Sequence, residues 1–447
     1  MARDKIITAV DVGSSKVTTI IASQLHEEKI SVVGVSTVSS QGLRKGQIVD
    51  IDEAVRSISE SVEAAERMAG ISVGQALVSV GGAHIQSQNS KGVVAVAQPE
   101  GEITKEDITR VVEAAQAVSL PSSREILHVL PRDFAVDSQA GIKDPLGMTG
   151  VRLEVDTQIV TGSTTAIRNL AKCVGEVGVD VEAVVFGGLA SSQAVLSETE
   201  KELGVILVDI GSGTTDVAIW VDGALSYSSV LPVGARNVTN DIAVGLRVSL
   251  ESAEKIKLLL SEKAHPKFAV PIESEKPTKV SDELDLSHLD LPEDVGKISR
   301  KTLVEGIIKP RLLEIFTFIG LEVSKSGFGT LTPAGVVITG GGAQTVGVLD
   351  CCRSRLAMPC RIGAPFTTPG ESEPSLTGLT DELSSPQFAT AVGLVLYGAK
   401  EEHLGKITPA SPSFTLPKFD SFGRLAAKFP VGNITGKLGK LLKQFLP

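Results

Sequence analysis

A chain of 447 residues is too long for a single hydrophobic core, so two or more domains are expected. With 42% apolar residues, 4% aromatics, 44 glycines and many Val/Ile-rich runs, the composition is that of a soluble α/β protein, not a fibrous or disordered one. The net charge of −10 argues against nucleic acid as a partner, yet the seven Lys/Arg after Glu402 face a single acid, Asp420, which suggests a basic tail with its own task. Cys173, Cys351, Cys352 and Cys360 lack metal-ligand spacing and read as buried thiols in a reducing compartment. The short run at residues 6–10 is not a signal peptide, and no apolar run approaches the ~18 residues of a membrane span.

In chain order, residues 6–21 form the first pattern: a β-branched run into Asp11, a Gly13–Ser14 turn, and a second run leaving through Lys16, which reads as a β-hairpin. Residues 29–40 read as a strand, 52–69 as an amphipathic helix with Ala54, Ile58, Val62 and Ala65 on one face, and 76–82 as a strand. The texture then changes. Short strands are expected at 92–97, 126–131 and 134–137, a capped helix runs from Thr104 through 108–118, a Gly/Pro loop covers 141–150, and a strand covers 151–161. Residues 84–160 therefore look like an inserted α+β module, after which helix 164–177 and strand 179–185 resume the main pattern.

Residues 205–220 repeat the opening pattern: Val10-Asp11-Val12-Gly13-Ser14 returns as Val208-Asp209-Ile210-Gly211-Ser212, followed by Gly213, Thr214 and Asp216. Two such turns suggest two related halves facing one ligand. Glycines let backbone N–H groups approach a polyphosphate, and the acidic oxygens of Asp11 and Asp209 suit a hydrated Mg²⁺. Further on, a helix carries Glu254 and Lys257 one turn apart. Residues 262–297 read as a mobile, Pro- and charge-rich surface insertion, and 298–323 as a long helix bent near Pro310. Val336-Val-Ile-Thr-Gly340-Gly341-Gly342-Ala343 reads as a buried strand ending in a glycine turn, 367–385 as a loop and 388–397 as a helix. Residues 403–432 read as a flexible linker. In the last residues Ile434, Leu438, Leu441, Leu442 and Phe445 share one helical face opposite Lys437, Lys440 and Lys443. That helix, about 20 Å long, is too short to span a bilayer but suits an anionic membrane surface.

The motifs Asp11-x-Gly-x-x-Lys16, Asp209-Ile-Gly-Ser-Gly-Thr-Thr-Asp216 and Gly340-Gly-Gly-Ala343 resemble the two phosphate motifs and the adenosine motif of the actin-like ATPase superfamily. Within it, Gly188-Leu-Ala-Ser-Ser192, Gly141-Ile-Lys-Asp-Pro-Leu-Gly147 with Gly150-Val-Arg152, Arg361-Ile-Gly-Ala-Pro365 and Thr390-Ala-Val-Gly-Leu394 are similar to the FtsA family of bacterial cell-division proteins. The resemblance covers residues 6 to 400 and resumes at the terminal helix.

This resemblance implies an α/β, two-lobed actin-like fold with ATP and Mg²⁺ in the cleft. It divides the chain into subdomain 1A (1–83, 161–198 and 371–402), the inserted 1C (84–160), 2A (199–245 and 320–370), 2B (246–319), the linker and a membrane helix at 433–447. Asp11 and Asp209 would hold Mg²⁺ through water. Gly13, Ser14, Lys16, Gly211, Ser212, Gly213, Thr214 and Asp216 would attend the phosphates, Glu254 and Lys257 the ribose or adenine, and Gly340, Gly341, Gly342 and Ala343 the base. Gln193 is the candidate for orienting the attacking water, and slow hydrolysis is expected.

The family's members polymerise and bind the C-terminal peptide of FtsZ through 2B, where Arg300 falls. They tether FtsZ to the cytoplasmic face of the membrane at the division site and meet later division proteins through 1C. The 262–297 insertion and extra residues at 371–386 depart from the family pattern. A pilus-assembly protein of the PilM kind and a small-molecule kinase are the competing members of the superfamily. A heat-shock chaperone ATPase would need a peptide-binding domain where only the tail remains.

Overall fold

Alternating β-branched residues fold residues 5–39 into three antiparallel strands, β1 (Lys5–Val12), β2 (Lys16–His26) and β3 (Lys29–Ser39). The computed structural model describes residues 5–26, 29–97, 101–264, 282–284, 286–289, 291–293, 298–365, 375–379 and 382–400. A tight hairpin, β4 (Leu43–Arg44) and β5 (Gln47–Ile48), leads to α1 (Ile51–Ala69), whose first turn is capped by Asp50 accepting the Glu53 N–H. β6 (Gln75–Val80) joins β1 in parallel.

Residues beyond β6 build the insertion: β7 (Gln86–Ala95), α2 (Lys105–Gln116), β8 (Arg124–Val136), β9 (Gln139–Ile142) and β10 (Arg152–Ser163). Thr104 and Asp107 form the capping box of α2. The two strands expected at 126–131 and 134–137 are one, β8, running through Pro131. A bulge at Arg132, where the register with β10 jumps from Asp133 to Pro131, lets the proline pass without breaking the ladder. The strand expected at 92–97 is β7, which starts six residues earlier.

The chain returns through α3 (Thr164–Glu176), β11 (Asp180–Phe186), α4 (Gly187–Val195) and α5 (Glu198–Leu203). It then enters β12 (Val205–Ile210), β13 (Thr215–Val221), β14 (Ala224–Leu231), α6 (Ala235–Leu246) and α7 (Leu250–Ala264). Part of the expected mobile surface insertion is tied down instead. β15 (Glu283–Leu284) pairs with β16 (Ile298–Ser299), Leu284 and Leu286 are buried, and Glu293 accepts from the Ser249 N–H and the Ser252 hydroxyl. The apolar residues scattered among its charges give it this anchor. Residues 265–281, 285, 290 and 294–297 of the insertion lie outside those described.

The long helix is divided into α8 (Arg300–Leu303), one π-helical turn at Val304–Ile308, and α9 (Lys309–Ser326). The wider turn sits just before Pro310, which has no N–H to donate back into the helix. β17 (Val336–Thr339), α10 (Val348–Leu356) and β18 (Cys360–Ile362) follow. Within the expected loop at 367–385, β19 (Ser375–Gly378) pairs with β3. α11 (Ala389–Lys400) ends the described chain.

Two sheets organise the molecule, in the orders β11-β6-β1-β2-β3-β19 and β18-β17-β12-β13-β14-β7-β10-β8-β9. The first is buried on both faces: the Thr19 hydroxyl on one side meets Ser61 of α1 at 2.8 Å, while Ile7 and Leu77 on the other meet Gly398 of α11. Three apolar cores result, one under each lobe's sheet and a small one between α2 and the inserted strands. Cys173, Cys351 and Cys352 are buried and Cys360 half-buried, all as free thiols. Among the described residues no helix is long and apolar enough to cross a membrane, and the linker and terminal helix lie outside those residues.

Candidate functional site: an acidic cleft between two glycine turns

The β1–β2 and β12–β13 turns close in the same way. Gly13 N–H donates to the Lys16 carbonyl at 3.0 Å, and Gly211 N–H to the Thr214 carbonyl at 2.9 Å. The repeated sequence is thus a repeated backbone geometry, with one copy on each side of a cleft of about 530 Å³. Of the predicted residues, Asp11, Gly13, Ser14, Lys16, Asp209, Gly211, Ser212, Gly213, Thr214, Asp216, Glu254, Lys257, Gly340, Gly341 and Gly342 all line it.

Each carboxylate is held by a neighbour: Ser79 has no signal in the sequence, and Thr390 and Gly188 open stretches that carry the family resemblance without showing this role. The Ser79 hydroxyl donates to Asp11 at 2.6 Å, Thr390 on α11 donates to Asp209 at 3.1 Å, and the Gly188 N–H donates to Asp216. Burial pushes all three carboxyls above the usual range. Asp209 is raised to about 6, first by burial and then by the charge of Asp11, and Asp216 rises well above its ordinary value, first by burial and then by the charges of Asp209 and Asp11.

Lys16 is the counter-charge. Its ammonium lies 3.8 Å above the Phe388 ring and is shut from solvent without a hydrogen-bond acceptor, and burial pulls it down to about 8. A buried ammonium with no acceptor is costly unless an anion completes it. Five acids, Asp11, Asp209, Asp216, Glu251 and Glu254, face Lys16, Arg236 and Lys257 around the cleft, which leaves it short of positive charge. Among the described residues no three His, Cys, Asp or Glu side chains are grouped to hold a metal unaided. Asp11 and Asp209 therefore fit a hard cation that takes its remaining ligands from phosphate and water, as Mg²⁺ does.

At the other end of the cleft, Lys257 donates to Glu254 at 2.7 Å and to Thr239 at 3.0 Å. Opposite it, Gly340 has φ +81°, and a Cβ there would collide with the Asp209 carboxylate, so this turn demands glycine. Ala343 does not line the base region; the short helical turn after Gly340 carries it, fully buried, into the second lobe's core. Gln193 does not line the cleft either. α4 leads away from Gly187, and two turns along it the Gln193 amide oxygen accepts from Lys400 at 3.2 Å. Arg300 opens α8, half-buried and away from the cleft, with its N–H on the Asp282 carbonyl. Ile434, Leu438, Leu441, Leu442 and Phe445 lie outside the described residues.

Residues 82–161 match the family described as "SHS2 domain inserted in FTSA", and residues 206–393 the family described as "Cell division protein FtsA". The chain is 38% identical over 424 residues to the cell division protein FtsA of Pseudomonas aeruginosa, covering 94% of this chain and 96% of that protein. It belongs to the FtsA family. The FtsA of Escherichia coli K12 is 33% identical over 411 residues, covering 90% of this chain and 91% of that protein. Among solved structures, the PilM-PilN type IV pilus biogenesis complex aligns with a TM-score of 0.58 at 15% identity, covering 88% of this chain and 98% of that one. The FtsA-family chain thus has the actin-like two-lobed α/β fold with an inserted SHS2 domain. The likeness to PilM is one of fold.

Proposed function

We propose that this chain is an ATP-binding division protein that uses Mg²⁺ and a nucleotide to support its own polymerisation, and that its basic C-terminal helix holds it and FtsZ at the cytoplasmic face of the membrane. The observation that carries the nucleotide reading is the Lys16 ammonium, buried without an acceptor between two glycine turns whose backbones are free to approach phosphate. Ser14, Ser212, Gly213 and Thr214 hold the phosphate oxygens, Gly13 and Gly211 close the turns and let the phosphates lie against them, Lys16 balances their charge, and Glu254 with Lys257 orients the ribose end. Bound Mg²⁺ supplies further charge neutralisation, with Asp11 and Asp209 fixing its place through water.

Gln193 is directed to Lys400, whereas Gln41, Gln344 and Gln387 line the cleft, and the proposed activity is nucleotide binding with slow hydrolysis. The subdomain scheme, self-association, the FtsZ peptide site around Arg300 and contacts of later division proteins with the inserted domain rest on family membership. The deciding experiment is titration calorimetry of Mg²⁺–ATP into the full chain and into Lys16→Ala. Binding that Lys16→Ala weakens at least tenfold supports the reading, and a wild-type chain that takes up no nucleotide overturns it.

A further inference from the structure

The inserted domain contributes no residue to the cleft wall among those described, yet one of its side chains reaches the backbone of the cleft floor. His128, on β8, is 5% exposed, and its Nε2 lies 3.0 Å from the backbone N–H of Phe186. Since the amide can only donate, Nε2 must be unprotonated and the ring neutral, with its proton on Nδ1. Burial agrees, pulling His128 down to about 4.

The amide that His128 holds is critically placed. Phe186 ends β11 and immediately precedes the two glycines that back Asp216. Gly187 lines the cleft, with the position of its missing Cβ 2.8 Å from Asp216 Oδ2, and the Gly188 N–H donates to the same carboxylate. The His128 ring also meets Tyr397 of α11 edge-on, 6.2 Å between centroids, and two turns earlier the same helix carries Thr390, the donor to Asp209. One imidazole thus touches the two elements that hold Asp209 and Asp216, and it does so from the inserted domain.

We propose that His128 is a positioning residue for the cleft: it fixes the backbone at residues 186–188 so that Asp216 is presented correctly, and it ties the inserted domain to the site. The proposal rests on the nucleotide reading for its consequence and on hydrogen bonding alone for its cause. Replacing the imidazole by an apolar ring leaves the Phe186 amide buried and unpaired, which the segment can relieve only by moving.

The test uses the full chain with His128→Phe, which keeps a ring against Tyr397 but removes the acceptor, and His128→Gln, whose amide oxygen can stand where Nε2 stood. Hydrogen exchange by mass spectrometry over peptides spanning 184–192 reports the segment, and calorimetry with ATP, in Mg²⁺ and in EDTA, reports the site. In His128→Phe the amides at 186–188 are expected to exchange at least tenfold faster. Affinity in Mg²⁺ should drop about tenfold while affinity in EDTA changes less than threefold, because the Asp216 carboxylate repels phosphate and can serve it only through the cation, and His128→Gln should keep both within threefold of wild type. Unchanged exchange in His128→Phe, an equal loss with and without Mg²⁺, or a Gln variant as impaired as the Phe variant overturns the proposal. If His128→Phe does not fold, His128→Gln decides alone: retention supports the proposal and a tenfold loss overturns it. A wild-type chain that binds no ATP defeats the nucleotide reading and leaves the exchange measurement to judge His128.

Discussion

At Asp11, Asp209 and Asp216 the chain holds three buried carboxylates against a single lysine, an arrangement that stability alone would not favour. Asp209→Asn is therefore expected to raise the melting temperature of the ligand-free protein while weakening Mg²⁺-dependent nucleotide binding at least tenfold. Parallel melts with and without Mg²⁺–ATP check both halves. His128 gives a pH signature of the opposite kind. Its pKa falls from 6.5 in the unfolded chain to about 4 in the fold, so its contribution to stability is complete above pH 6.5 and is lost as pH falls towards 4. A buried histidine with that shift accounts for a loss on the order of 2 kcal/mol between pH 7 and pH 5. His128→Phe should flatten this part of the stability–pH curve measured by urea unfolding. Composition and spacing located Asp11, Lys16 and Asp209 but were silent on His128, because a lone histidine in a strand carries no periodic signal.

Among the elements, α4 and α11 bring the two lobes' chemistry together. They cross so closely that a Cβ on Gly393 would collide with the Ala190 carbonyl. Gly393→Ala is expected to cost about 3 kcal/mol by forcing the helices apart, and to weaken nucleotide binding because Thr390 and Gly187 move with them. Gly306, in the π-helical turn, has nothing within 4 Å of its missing Cβ, so Gly306→Ala should be neutral or stabilising by up to about 1 kcal/mol. Thermal unfolding of the two variants side by side tests the contrast. Helices such as α1, whose Ala54, Ile58, Val62 and Ala65 are buried, were legible because burial repeats at helical spacing. Pro131 is a local stop signal that divides β8 into two expected strands, and only its pairing with β10 shows that the bulge carries it through.

For the whole molecule, the proposed membrane role of the tail has a direct test. A chain ending at Gly432 is expected to stay in the supernatant when sedimented with anionic liposomes, while the full chain pellets; equal pelleting would sink the membrane reading. A single short amphipathic helix binds weakly, so pelleting should strengthen when nucleotide drives polymerisation and many tails bind at once. On the same liposomes Arg300→Glu should lose FtsZ recruitment and keep its own binding, and unchanged recruitment would count against the proposed peptide site.

What the sequence determined by itself is local. Two Asp-x-Gly turns, a Gly340 loop and a capped helix in an inserted module are each specified by residues a few positions apart, so they could be read and matched to a family. What the tertiary structure decided is which distant residues complete them. Ser79 and Thr390 hold the two turn carboxylates, Phe388 lies beneath Lys16, and the inserted domain braces the cleft floor through His128. Those pairings come from strands meeting within and between sheets and from helices packed against them, and no spacing along the chain encodes them.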